Sequence, residues 1–462
     1  MVACLEALQK SEEVAKEDKG EKKVPTMELP IWFDGKNINE ILLYQTILQH
    51  HEIKCINGKL YDIDREIPDD EMEKEILDII KLYWTRNISS KITSILNGFK
   101  IYTRSAPFPM KEDRVHFMNG TYFVNKGFTN QKEWTRNRLT VNYNEDAPKP
   151  EKWLAFLDGL LEEDDIACLQ EFMGYCFIPS NRGQKMLLII GKGGEGKSRI
   201  GRVLKRIFGH NMNSGSLQKL ENDRFARADQ EGKLLYLDDD MKTEALPSTN
   251  MIKTIVTAEE EMDLERKGKQ SYQGKLVCRI LAFGNGTLKS LFDRSKGFYR
   301  RQIVHETKDI PPDRVNDPFL ADKMIEEVEG IVLWCIEGLE RLLQNNYQFT
   351  ISDKSHLLMD EMQKDDDNII SFLESTGYIR LEKGTHATSK SLYVAYCKWC
   401  NDNLDTPVSE RSFSKRFKDR SADYGMTYDK NIPVGNGKFC RGFRGVHVKV
   451  RTDDFNYQSY KK

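Results

Sequence analysis

Residues 191–198, Gly191-Lys192-Gly193-Gly194-Glu195-Gly196-Lys197-Ser198, stand between an apolar run, Met186-Leu187-Leu188-Ile189-Ile190, and a stretch of helical apolar spacing over 199–208. Every fixed position of the pattern GxxxxGK[ST] is filled, in the strand, turn, helix order that the pattern requires. Glycines let backbone N–H groups turn inward around phosphates without a Cβ in the way, and the helix that follows presents its positive end to them. In such a loop Lys197 reaches the β- and γ-phosphates and Ser198 ligates Mg²⁺, so the cofactors expected are ATP and Mg²⁺. A chance glycine turn does not account for the match in this context.

A phosphate loop of this kind needs acidic residues on a neighbouring strand. Leu234-Leu235-Tyr236-Leu237-Asp238-Asp239-Asp240 supplies them: one carboxylate for the Mg²⁺ shell, the next to polarise the attacking water. The apolar run favours the pair Asp238 and Asp239, and a solvated acidic turn is the plainer alternative. A third apolar run, 276–283, ends at Gly284-Asn285, where the Asn285 amide could sense the γ-phosphate or simply form a turn. Polar residues at the C-terminal ends of apolar strands are where open α/β sheets place ligands. The middle of the chain is therefore an α/β nucleotide-binding domain.

Around it the sequence changes character. Residues 1–28 are charged and lack the apolar core of a signal peptide, and they read as a disordered tail. Over 29–147, helical stretches at 71–82 and 89–96 give way to strand-like runs at 115–124, an accessory or collar region of α/β character. The breaker cluster Ala147-Pro148-Lys149-Pro150 marks a boundary, and helical spacing resumes at 151–161 and 165–176. Domains are expected at 29–147, 148–364 and 365–462.

The last of these is the electrostatic candidate for DNA. The whole chain carries a net charge of −2, but residues 368–462 hold 17 Lys/Arg against 10 Asp/Glu. Helical patterns at 389–403 and 412–421 precede a glycine- and arginine-rich hairpin at 435–450, the order of a helix-turn-helix with a wing. Phe413 and Phe417 would face the core and leave Lys415, Arg416, Lys418 and Arg420 to the DNA, with Arg441 and Arg444 on the wing near phosphates. A solvated helix and hairpin is the alternative. Cys397-Lys398-Trp399-Cys400 has CxxC spacing, but with Tyr393 and Tyr396 in the same helical pattern the two cysteines read as buried apolar residues, and no metal besides Mg²⁺ is expected.

The nine cysteines are odd in number and scattered, which excludes a secreted disulfide framework and fits a reducing cytoplasm. No apolar run approaches the roughly 20 residues of a membrane span, so no membrane partner is expected.

Taken with 169–176 (LQEFMGYC), 220–228 (LENDRFARA), 232–240 and 293–301 (DRSKGFYRR), the phosphate loop resembles the superfamily 3 helicase domain of phage and plasmid primase-helicases, over roughly Pro148 to Leu343. With its basic tail the chain also resembles the stand-alone replication initiator-helicases of phage-inducible chromosomal islands. The resemblance implies an AAA+-like P-loop NTPase core, with the N-terminal α/β region and a C-terminal winged-helix-like domain on either side. It favours Asp239 and Asp240 as the acidic pair, Asn285 as the sensor, and Arg300 and Arg301 as the source of a finger reaching a neighbour's ATP. A guanidinium suits charge developing on a transferred phosphoryl group, although an arginine pair taken alone is more often a surface ion-pair former. A finger acting in trans implies a homo-oligomer, usually a hexamer.

The segment 265–275 (ERKGKQSYQGK) matches the family's central-channel hairpin, where Lys267 and Lys269 would track phosphates of single-stranded DNA; a solvated basic turn is the alternative. The family commonly has an acidic or apolar pair after the sensor residue, where this chain has Gly286-Thr287. The stretch ahead of Pro148 shows no primase metal motif, so priming is not expected. The function implied is an ATP-dependent ring helicase and replication initiator in a bacterial cytoplasm, unwinding origin duplex. The rivals are a remodelling AAA+ ATPase that does not unwind DNA, and a sequence-specific DNA-binding regulator switched by ATP.

Overall fold

The computed structural model describes residues 29–242, 246, 248–258, 260–268, 270–286, 296–312, 316–366, 368–435 and 437–450. The expected charged tail at 1–28, Lys269 and residues 293–295 lie outside the described residues. The chain divides into two compact units, 1–107 and 108–462.

In the first unit three helices, Glu40–His50, Asp69–Ile80 and Ile88–Tyr102, pack with a three-stranded antiparallel sheet of β1 (Lys54–Ile56), β2 (Lys59–Tyr61) and β3 (Glu66–Ile67). Met72, Ile76 and Ile80 recur at helical spacing and are buried in one cluster with Leu43, Ile47, Ile95 and Phe99. Three acids open the second helix, where they favour the positive end of its dipole.

The second unit begins with a small antiparallel sheet of β4 (Arg114–Phe117), β5 (Gly120–Phe123) and β6 (Gly127–Thr129). Val115, Phe117, Leu139 and Val141 are buried in the same core as Trp153, Phe172 and Ile207. The Thr140 amide also donates to the Ile207 carbonyl at 2.9 Å. The compact units therefore part at 107/108 and not at the 147/148 breaker cluster: residues 108–147 have no core of their own and complete that of the nucleotide-binding region. The prolines that signal a boundary instead set the entry of helix Glu151–Asp158, whose N-cap is Pro150.

At the centre lies a parallel sheet of five strands: β7 (Met186–Ile190), β8 (Met212–Ser214), β9 (Leu235–Met241), β12 (Arg279–Gly284) and β13 (Gln302–Glu306). Their spatial order is β13-β7-β12-β9-β8. Side chains alternate between two apolar layers: Leu187, Ile189, Leu235, Leu237, Leu281 and Phe283 enter one, and Met186, Leu188, Ile190, Tyr236, Ile280 and Ala282 the other. Both faces are covered, which is why these strands read as continuous apolar runs. Between β9 and β12 in sequence, β10 (Met262–Leu264) and β11 (Tyr272–Gly274) form a separate antiparallel hairpin.

Helices Glu163–Tyr175 and Val328–Gln344 meet at near backbone contact. A Cβ on Gly174 would run into the Cys335 carbonyl and lie 2.8 Å from the Leu339 nitrogen. Residues 368–450 form helices Asn368–Glu374, Ser389–Asp402 and Glu410–Ser421 beside an antiparallel sheet of β14 (Ile379–Thr388), β15 (Thr427–Pro433) and β16 (Phe439–Val448), in the order β14-β16-β15. The expected hairpin starts earlier than 435 and gains a third strand, β14, because β16 has Val446 and Phe443 to bury and pairs on both edges.

Gly174→Ala is expected to destabilise the second unit by about 1–3 kcal/mol, since two helix backbones would have to separate. A urea titration followed by tryptophan fluorescence checks this by a lower midpoint at unchanged slope.

Candidate nucleotide site

β7 hands the chain to the phosphate loop at Gly191, whose amide donates to the Gly284 carbonyl at 3.0 Å and so ties the ends of β7 and β12 together. Gly193 and Gly196 both sit at φ +103, a conformation L side chains rarely adopt. Helix Ser198–Phe208 follows, with Ile200, Val203, Leu204, Ile207 and Phe208 buried beneath it and Lys205 and Arg206 in its last turn. The helix start is thereby fixed over the C-terminal ends of the strands.

Within the loop Lys197 and Glu195 are both buried, and the Lys197 ammonium donates to Glu195 Oε2 at 2.7 Å. Glu195 Oε1 accepts the Gly193 amide at 2.7 Å. Burial alone would raise the Glu195 carboxyl, but the Lys197 hydrogen bond and the backbone donors outweigh it and hold it below its ordinary value. One carboxylate thus takes an ammonium and a loop amide together, the donors that suit a phosphate oxygen. Nothing in the residue pattern singled out Glu195 for this, since it occupies a free position of the motif. Lys192 is exposed and pairs with Asp309 at 2.6 Å.

The three aspartates of β9 part company. Asp238 is buried and its Oδ2 accepts the Leu217 amide at 2.7 Å, fixing the start of helix Leu217–Asn222. Asp239 lies beside the first turn of the helix that follows the loop, its Oδ1 3.6 Å from the point a Cβ on Gly201 would occupy. Partial burial raises its carboxyl, the nearby Ser198 hydroxyl lowers it, the Asp240 charge raises it, and the net direction is upward. Asp239 and Asp240 are both exposed on the strand. Ser198 and Asp239 bring a hydroxyl and a carboxylate oxygen together, a donor pair that fits Mg²⁺, which takes few protein ligands and completes its shell with phosphate and water.

Asn285, at the end of β12, lies against the loop, with its Oδ1 3.8 Å from the point a Cβ on Gly193 would occupy. Arg300 is exposed, while its carbonyl accepts Lys185 at 2.6 Å. Arg301 is partly buried and turns back to donate to the Gly297 carbonyl. The arginine pair is therefore split between solvent and the protein's own backbone. Lys267 is exposed in the loop between β10 and β11.

Of the C-terminal candidates, Lys415, Lys418 and Arg441 are exposed and Arg416 is half-buried. Lys418 lies 4.6 Å from the centre of the Tyr428 ring. Arg444 is exposed but paired with Asp429 at 2.6 Å. Arg420 is buried, contrary to the expectation that it remains available: it follows Phe413 and Phe417 around to the inner face of its helix. Cys397 and Cys400 are buried among Tyr393, Tyr396 and Phe413, and burial pushes their thiols up to about 11 and about 12. Among the described residues no group of three His, Cys, Asp or Glu could hold a metal, and no helix is long and apolar enough to cross a membrane.

Residues 189–301 match the model of a family of unknown function, DUF5906. No curated protein matches the sequence. Among solved structures, the apo structure of the NrS-1 C terminal region (305-718) aligns over 88% of this chain and 99% of that one, with a TM-score of 0.53 and 15% identity. A second form of the same region aligns over the same shares, with a TM-score of 0.52 and 14% identity. A JCV helicase structure aligns over 49% of this chain and 61% of that one at 14% identity, with a TM-score of 0.26 that says nothing of a shared fold. The chain thus has an α/β fold built on a five-stranded parallel sheet, consistent with a P-loop NTPase core, and it is similar in fold to the NrS-1 C terminal region.

Asp238→Ala leaves the buried Leu217 amide unpaired and is expected to cost about 1–3 kcal/mol of stability. Asp239→Asn removes a carboxylate that burial and Asp240 already disfavour, and is expected to be at least as stable as the parent. Thermal unfolding of the two variants side by side checks the contrast.

Proposed function

We propose that the chain is a superfamily 3, AAA+-like DNA helicase that works as a homo-oligomeric ring, a hexamer, and opens duplex at a replication origin in a bacterial cytoplasm. The observation that carries this reading is the joint placement of Lys197, Ser198 and Asp239 at one end of the parallel sheet, with a basic hairpin inserted between the acidic strand and the Asn285 strand. The first group serves ATP and the hairpin serves DNA.

In this reading the phosphates of ATP enter the turn 191–198, and Lys197 moves from Glu195 to the β- and γ-phosphates. Ser198 and Asp239 would hold Mg²⁺, which when bound would supply positive charge to the phosphate groups. Asp240, exposed beside Asp239, orients and polarises the attacking water. Asn285 lies between the loop and the acidic strand and contacts the γ-phosphate. Arg300, exposed at the end of the sensor segment, reaches the ATP of the neighbouring subunit; such a finger is worth about 10³–10⁵ in rate in related chemistry. Arg301 braces the turn that presents it.

Lys267 and Lys269 grip the backbone of single-stranded DNA within the ring. The segment 365–462 is winged-helix-like, and Lys415, Arg416, Lys418, Arg441 and Arg444 bring the ring to the origin duplex through phosphates.

ATP-dependent strand displacement on forks of each polarity tests the reading, with the parent, Lys197→Ala and the Lys267→Ala/Lys269→Ala double variant. The parent is expected to unwind one polarity, Lys197→Ala to lose hydrolysis by on the order of 100-fold or more, and the double variant to hydrolyse ATP without unwinding. A parent that hydrolyses ATP and displaces no strand on any fork makes the protein a remodelling ATPase. DNA binding that survives every hydrolysis-blocking change together with its consequence makes it a regulator.

A further inference from the structure

The hairpin of β10 and β11 has three residue pairs, Met262↔Gly274, Asp263↔Gln273 and Leu264↔Tyr272, and belongs to no larger sheet. A two-stranded hairpin of that length is marginal by itself, so contacts at its base must set where its loop points.

Leu264 is buried in the core, with Met262 and Tyr272 packed against the same cluster, and the polar contacts at the base converge on one carboxylate. Glu231 is almost wholly buried, its side chain 10% exposed, and its Oε2 accepts both Arg266 and the Tyr272 hydroxyl at 2.6 Å. Arg136 approaches the other oxygen at 3.5 Å. The Arg266 guanidinium also stands over the Tyr272 ring, 5.4 Å from its centre. One residue from each side of the loop that carries Lys267 is thus held by the same group. Burial by itself would raise the Glu231 carboxyl, but Tyr272, Arg136 and Arg266 more than offset it, so the group is a carboxylate at neutral pH.

Glu231 is itself firmly placed. The next residue, Gly232, offers its carbonyl to Asn137 at 2.6 Å. Three residues on, Leu234 is bonded to Asn211 and Arg279 through its amide and carbonyl at 2.8 and 2.9 Å. From Leu235 the chain is β9, which carries Asp239 and Asp240 at its far end. A second, exposed ion pair, Arg224 with Glu265 at 2.8 Å, joins the preceding helix to the same loop.

We propose that Glu231 is a positioning residue that locks the β10–β11 hairpin to the root of the acidic strand, so that a shift of β9 during hydrolysis moves Lys267 with it. This rests on the helicase reading for what the hairpin grips, but not for how the hairpin is held. Neither composition nor motif marks Glu231, an acid in a loop three residues ahead of an apolar run.

The test uses the full chain and the variants Glu231→Gln and Tyr272→Phe, with oligo-dT as the DNA probe. Amide hydrogen exchange over 262–274 is measured first and without DNA. Glu231→Gln is expected to speed exchange there by about tenfold, with Tyr272→Phe intermediate and exchange over β7 and β9 unmoved. Basal ATP hydrolysis is expected to stay at the parent's rate, while the oligo-dT-stimulated part and strand displacement fall by about tenfold or more. Unchanged exchange over 262–274 shows that Glu231 does not hold the hairpin and overturns the proposal. Faster exchange with full stimulation and displacement overturns the coupling, because the clamp is then only a fold contact. A parent that oligo-dT does not stimulate defeats the helicase reading and the coupling together, while the exchange result still decides whether Glu231 is the anchor.

Discussion

The burial of β7 on both faces is the constraint from which the site follows. Met186, Leu188 and Ile190 fill one apolar layer and Leu187 and Ile189 the other, so the strand cannot shift by one residue without exchanging its faces. Its end is then fixed, and the Gly191 amide bond to Gly284 fixes it against β12 as well. A turn half of whose residues are glycine has little stiffness of its own, and its shape depends on these supports. The same sheet brings Asp239 to Ser198 across the inserted strand β12.

Much of this was legible in the sequence because it is local. The run Met186–Ile190 is the strand expected, residue for residue, and helix 199–208 begins one residue earlier than its apolar spacing alone required. Helices at 389–402 and 410–421 likewise lie close to their periodicity. What could not be read depends on partners distant in the chain. The boundary at the Pro148 cluster looked sound because prolines punctuate chains, yet Val115 and Leu139 find their core only with Trp153 and Ile207. Arg420 looked like one more cation on a basic helix, but its turn of the helix faces inward.

The acidic triplet shows the same limit inside the site. Three aspartates in a row are equivalent on paper, and only the fold separates Asp238, held by the Leu217 amide, from Asp239, which faces Ser198. Glu195 and Glu231 are the counterpart cases: the sequence placed Glu195 in the phosphate loop without its Lys197 pairing and did not mark Glu231, and each gathers two or more donors in three dimensions. Glu195 holds the Lys197 ammonium inside the loop.

Phosphate release from ATP, measured for the parent and for Lys197→Ala with and without Mg²⁺, tests the central claim most directly. The account predicts steady Mg²⁺-dependent release by the parent and a loss on the order of 100-fold or more in the variant, with circular dichroism unchanged. Release that persists undiminished in Lys197→Ala, or a folded parent that releases no phosphate from any nucleoside triphosphate, would contradict it.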